Sequence, residues 1–301
     1  LATGEGKTVL SLGLARRWQR EGKKVGYLKI GGGQDADFAR QALGLAEDTA
    51  VPEASALAHR LSSYAQSKDI VLIEAERESW TTVRAQGAKA LLLAFYPGHE
   101  ATEVGRTARA MGEGLLGIVI NAIPDGGIAN GLWHEALGTL PLLGRLPQER
   151  RLFAPSVGEL AQHLAGRILT GEEKAGELVE AVMVGVYCLD PAPLYFGQRQ
   201  RKAALIKGQR PDMQLGALET PLACLILTDD VEPNPYVRQQ AEEKGVPIVV
   251  VKEDVPATMS LVEQALSQTR FHQQAKLERL DELIAAHLDW PALNRRLGLA
   301  S

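Results

Sequence analysis

Apolar and polar residues come in blocks along the first half of the chain. Short runs rich in valine, isoleucine and leucine predict strands at 24–30, 69–74, 88–95, 115–121 and 142–146. Between them apolar residues return every three or four positions, which predicts helices at 35–45, 53–67, 79–87, 99–111 and 128–138. Short apolar strands joined by amphipathic helices make an α/β domain, a parallel sheet covered on both faces. Ligands in such sheets sit at the carboxyl ends of the strands. Lys29, Glu74 and Asn121 fall at such ends.

Beyond Pro147 the chain turns polar. Ser156 and Glu159 have the spacing of a capping box, predicting a helix through about Leu169. The strand–helix pattern then resumes. Strands are expected at 182–189, 203–206, 222–228 and 246–252, and helices at 191–199, 212–219, 234–244 and 256–268. This is a second, smaller α/β domain. From His272 onward the chain is charged and helical in period, with a break at Pro291. Leu277, Leu280, Ile284 and Leu288 form an apolar stripe suited to packing on the same domain or a sister chain. The expected organisation is 1–170, 171–270 and a helical tail at 271–301.

The chemistry concentrates at the start, in Gly4-Glu5-Gly6-Lys7-Thr8-Val9. Two glycines allow a tight turn whose N–H groups approach a phosphate. Lys7 supplies charge for the β/γ-phosphates, and the Thr8 hydroxyl is a magnesium ligand. The helical run from Val9 would place a helix N-terminus behind the anion. The strict phosphate-loop pattern wants its first glycine at position 1, which is leucine, and a strand before the loop. The expectation is a chain that opens inside the motif. The alternative is a glycine-rich helix start with a chance Gly-Lys-Thr.

Composition adds limits. The net charge of −4 over 301 residues argues against a nucleic-acid surface or a basic membrane-binding face. No apolar run is long enough to span a bilayer. Cys188 and Cys224 lie in apolar runs and read as free core thiols of a reducing compartment, with the cytoplasm the expected location.

The first half resembles the dethiobiotin synthetase-like P-loop ATPase domain at the N-terminus of long phosphotransacetylases. The resemblance rests on Gly4 to Thr8, Val25 to Lys29, Asp35-Ala36-Asp37-Phe38, Val71 to Glu74 and Gly117 to Asn121. The second half resembles the DRTGG domain, on Lys202 to Ile206, Gly208 to Thr220 and Cys224 to Thr228. The tail resembles the segment that leads into the acetyltransferase domain, and no acetyltransferase segment follows in this sequence.

The resemblance implies ATP and Mg2+ as ligands. It gives Lys29 a phosphate or substrate contact, with Lys7 and Lys29 the candidate catalytic cations. It places Mg2+ on Thr8, Asp35 (Asp37 next) and Glu74, and the adenine base on Asn121. Plainer readings stand beside these. Asp35 could cap the helix after it, Glu74 and Lys29 could be ordinary strand-end charges, and Asn121 could form the turn before Pro124. The family's glycine-rich turn after the strand-end acid is replaced here by Ala75-Glu76-Arg77-Glu78. That argues against a carboxylating ligase and fits nucleotide binding with slow hydrolysis at most. In the second half, Arg210 and Asp212 stand where the namesake motif lies, as a site for a small metabolite or anion. Asp212 reads first as a helix N-cap, and Thr228-Asp229-Asp230 could share its surface.

Three functions compete: an ATP/Mg-binding regulatory protein, a stand-alone ATP-dependent ligase, and a subunit of a split phosphate acetyltransferase. A homo-oligomer or an acetyltransferase partner would fit the tail stripe. The regulatory reading is favoured.

Overall fold

A computed structural model describes residues 6–64, 67–128, 130–185, 191–269 and 271–299. The chain divides into two units, residues 1–149 with 271–301, and residues 150–270.

The first unit begins with helix α1 (Lys7–Arg20). Then follow β1 (Val25–Ile30), α2 (Gln34–Ala42), β2 (Ala50–Val51), α3 (Leu57–Tyr64), β3 (Ile70–Glu74) and α4 (Trp80–Arg84). After these come β4 (Ala90–Phe95), α5 (Ala101–Met111), β5 (Leu115–Ile123), α6 (Asn130–Leu137) and β6 (Leu142–Pro147). The strands form two parallel three-stranded sheets, ordered β2-β1-β3 and β4-β5-β6. The sequence predicts one continuous sheet; among the described residues no strand pairs with both β3 and β4. Each sheet has its own core. Leu28, Val51, Leu57 and Tyr64 close one, and Ile118, Ile120, Val104 and Trp133 the other.

The second unit contains α7 (Val157–His163), β7 (Arg167–Thr170), β8 (Ala181–Val184), α8 (Ala192–Phe196) and β9 (Lys202–Lys207). It continues with α9 (Pro211–Leu218), β10 (Leu222–Thr228), α10 (Pro235–Lys244), β11 (Ile248–Val250) and α11 (Val255–Gln268). Its sheet has the order β7-β11-β10-β9-β8. β9 is apolar throughout its middle because both faces are covered. Ala203 and Leu205 join a cluster with Leu160 and Val262, while Ala204 and Ile206 join one with Phe196 and Val237. Ser156 and Glu159 form the capping box, but the helix stops at His163. The expected extension to Leu169 is instead β7, which pairs antiparallel with β11. This pairing carries residues 150–170 into the second unit, so the boundary lies near 150, twenty residues before the expected 170. Cys224 is a buried free thiol whose pKa burial pushes up to about 12; Cys188 lies outside the described residues.

Lys202 opens β9 fully buried, its Nζ donating to Thr220 Oγ1 at 3.0 Å and to the Pro221 carbonyl at 2.7 Å. Burial pulls its pKa down to about 8. Between that value and the usual lysine value of about 10.4 the unfolded chain holds a proton that the folded chain has released. Stability should therefore rise with pH across that window, by about 3 kcal/mol at most. Urea midpoints measured from pH 7.5 to 10.5 will show the slope, and Lys202→Met should flatten it.

The last segment belongs to the first unit rather than forming a separate tail. It holds α12 (Leu277–His287) and α13 (Trp290–Leu297). The break falls at Leu288–Asp289, not at Pro291, which sits inside the first turn of α13. The stripe packs on α1: a Cβ added at Gly13 would fall 2.5 Å from Ile284 Cγ1, so only glycine permits this approach. Asp281 accepts from Arg16 at 2.7 Å and also from Arg20. Asp289 N–H donates to the Leu143 carbonyl at 2.6 Å, laying the segment beside β6.

Candidate functional site

The site gathers where α1 begins. Gly6 precedes α1 with φ +91°, and a Cβ there would lie 2.5 Å from Asn121 Nδ2. Both the backbone angle and the close approach demand glycine. Asn121 near the end of β5 is thereby brought to the loop. Gly4 and Glu5 lie outside the described residues. Val9 follows on α1.

The register of β1 on β3 pairs Lys29 with Glu74. Glu74 is 6 % exposed. Its Oε1 accepts from Thr8 Oγ1 at 2.9 Å and from Lys29 Nζ at 2.8 Å, and its Oε2 accepts from Tyr27 at 2.5 Å. Lys29 Nζ also lies 3.1 Å from Thr8 Oγ1 and 3.0 Å from Asp35 Oδ2. Burial pulls the Lys29 pKa down, but Glu74 and Asp35 outweigh it and hold the ammonium charged. Burial first, then the Glu74 charge, push the Tyr27 phenol well above its ordinary range.

Lys29 thus stands among the three groups expected to hold magnesium. The oxygens of Thr8, Asp35 and Glu74 converge on one cation, and that cation is the lysine ammonium. A hydroxyl and two carboxylates are hard donors of the kind magnesium takes with phosphate oxygens and water. Among the described residues no group of three or more His, Cys, Asp or Glu side chains is placed to hold a metal by itself.

Lys7 is engaged as well. Its Nζ donates to both Glu76 oxygens, at 2.9 and 2.8 Å. Two ammonium groups thus face the carboxylates of Asp35, Glu74 and Glu76.

Asp35 is the second residue of α2, whose N-cap is Gly33, so its partner is Lys29 rather than the helix end. Asp37 also lies in that first turn. Sequence reasoning passed over Tyr27 and the role of Glu76. Tyr27 stands two positions before Lys29, hence on the same face of β1, and that spacing was the available signal.

In the second unit Arg210 is the N-cap residue of α9 and Asp212 lies inside its first turn, which overturns the expected Asp212 cap. The two side chains pair bidentately, Nε–Oδ1 2.9 Å and Nη2–Oδ2 2.7 Å, and Arg210 holds the Asp212 carboxyl below its usual range. Both are exposed. A Cβ at Gly208 would meet Val231 Cβ at 2.4 Å, so the loop before α9 is tight against the loop after β10. In that second loop Asp229 accepts from Thr228 Oγ1 at 2.8 Å and Asp230 pairs with Arg167 at 3.2 Å.

No helix among the described residues is long and apolar enough to cross a membrane. Residues 159–265 match the DRTGG domain model. The chain is 22 % identical to phosphate acetyltransferase of Pseudomonas aeruginosa, over 98 % of this chain and 51 % of that protein. It spans about half the length of that curated relative. A solved structure is also similar: the CBS and DRTGG domains of the regulatory region of Clostridium perfringens pyrophosphatase, complexed with the activator diadenosine tetraphosphate. That likeness has a TM-score of 0.34 and 15 % identity, covering 65 % of this chain and 76 % of the other. The chain is therefore a mixed α/β protein that carries a DRTGG domain and is similar along nearly its whole length to half of a phosphate acetyltransferase.

Proposed function

We propose that this chain is a nucleotide-responsive regulatory module of the phosphotransacetylase type. Its first unit takes ATP with Mg2+ at the start of α1, and its DRTGG unit senses a small metabolite or anion or engages a partner. The observation that carries this reading is the convergence of Lys7, Thr8, Lys29, Asp35 and Glu74 at the carboxyl ends of β1 and β3. Lys7 binds phosphate; Thr8, Asp35 and Glu74 supply oxygens for the ion. A magnesium ion held by Thr8, Asp35 and Glu74 would supply neutralisation of phosphate charge. Asn121, which abuts Gly6, would meet the adenine base in this reading. Glu76 and Arg77 stand where a ligase would need substrate-binding backbone, which argues against a carboxylating ligase and fits nucleotide binding with slow hydrolysis at most.

Calorimetric titration with ATP, with and without Mg2+, tests the reading. Magnesium-dependent binding in the micromolar range is expected. A folded protein that takes up no heat with Mg·ATP would overturn it. Similarity to half of a phosphate acetyltransferase supports a second role beside an acetyltransferase chain, which copurification would reveal.

Nucleotide must replace Glu76 on Lys7. Glu76→Gln removes that competing charge and should tighten Mg·ATP binding about fivefold, the equivalent of about 1 kcal/mol for a half-exposed ion pair. The same titration reads it.

A further inference from the structure

A cavity of about 220 Å3 lies where α12 crosses α1 in the first unit. Gly13, Arg17, Arg20 and the C-cap residue Glu21 line it from α1, and Asp281 and Ala285 line it from α12. Positions 13, 17 and 20 share one face of the helix. Arg20 stands about 20 Å along α1 from Lys7, at the opposite end from the nucleotide site.

Three arginines meet here, and two carboxylates answer them. Asp281, its side chain 7 % exposed, accepts from Arg16 at 2.7 Å and also from Arg20. One carboxylate thus serves two guanidinium groups. Arg17 is served less well. Among the described residues its ion-pair partner is Glu21, 3.7 Å from its Nε, which is longer than a hydrogen bond. Glu21 Oε1 accepts instead from the Trp290 Nε1–H at 2.6 Å. The Trp290 ring lies 4.6 Å below the Arg17 guanidinium. That contact uses the face of the guanidinium and leaves its N–H edge to other partners. The C-terminal end of α1 adds about half a negative charge, which leaves the cluster still positive.

We propose that this cavity binds a small oxyanion, the phosphate or carboxylate group of a metabolite, between Arg17 and Arg20. Planar guanidinium forks match both groups. Arg20 shares Asp281 with Arg16, so it can turn to the anion without leaving that carboxylate unpaired. The cavity is smaller than the roughly 300–1,000 Å3 of pockets for drug-sized ligands, so it suits a small anion rather than a nucleotide. This inference stands apart from the nucleotide reading, whose residues lie at the other end of α1.

Calorimetric titration of the full chain at low ionic strength tests it, with inorganic phosphate and malonate as separate probes. A dissociation constant of about 1 mM or below is expected for at least one, and the tighter of the two identifies the group. Arg17→Gln and Arg20→Gln should each weaken that binding about tenfold or more. Arg20 is 60 % exposed, so its variant keeps the fold even if the Arg17 variant does not. Arg106→Gln removes one exposed positive charge from α5 and should leave the affinity unchanged. Lys7→Ala should leave it unchanged as well. No heat with either probe would overturn the inference. Full binding by Arg20→Gln, an equal loss in Arg106→Gln, or loss in Lys7→Ala would overturn it too.

Discussion

Lys7→Ala is expected to weaken Mg·ATP binding by about 100-fold or more while leaving the fold standing. Removing a charged donor from a phosphate costs about 3 kcal/mol, and each 1.4 kcal/mol is tenfold. The fold loses little because the Lys7–Glu76 pair is reached by solvent, with side chains 16 % and 41 % exposed. Such pairs contribute about 0–1 kcal/mol. Calorimetry and urea unfolding on the same preparation separate the two effects. Equal affinity in mutant and wild type would remove Lys7 from the site and sink the nucleotide reading. A large drop in stability would show instead that the ion pair holds α1 in place.

Trp18→Ala should destabilise the first unit by about 3–5 kcal/mol, the usual cost of truncating a fully buried aromatic residue. Trp18 is 2 % exposed. Its ring lies 5.0 Å from that of Trp290, and its Nε1–H donates to Asn294 Oδ1 at 3.0 Å. Arg17 adds a guanidinium 4.6 Å above the Trp290 ring. Truncation would leave a cavity between α1 and α13 and strand the buried Asn294 oxygen. Urea unfolding followed by circular dichroism measures the loss. Trp18→Phe keeps most of the volume and should cost less than half as much. A loss below about 1 kcal/mol for the alanine variant would mean that the last thirty residues do not share the core of this unit.

The tryptophan pair also shows where sequence reasoning stops. The Gly-Lys-Thr turn, the α/β alternation and most element positions were legible in the chain. Apolar periodicity is local, and a strand buried on both faces must read as an apolar run. The strand-end positions of Lys29 and Glu74 were legible for the same reason. β7 was not, because Arg167–Thr170 is only four residues long and directly follows a well-capped helix whose apolar spacing runs on into it. Its pairing partner in β11 lies some eighty residues away. The domain boundary moved with it.

In the site, the sequence determined which charges the chain brings, and tertiary structure decided how they neutralise one another. Lys29 faces Glu74 because β1 and β3 pair in that register. Glu76 reaches Lys7 because the loop after β3 ends beside the start of α1. Trp290 meets Trp18 from 272 positions away because α13 folds back onto α1. Local propensity sets each helix and strand by itself. Partner choice across a fold depends on strand register and crossover packing, which are sums over distant contacts that no short stretch of sequence contains.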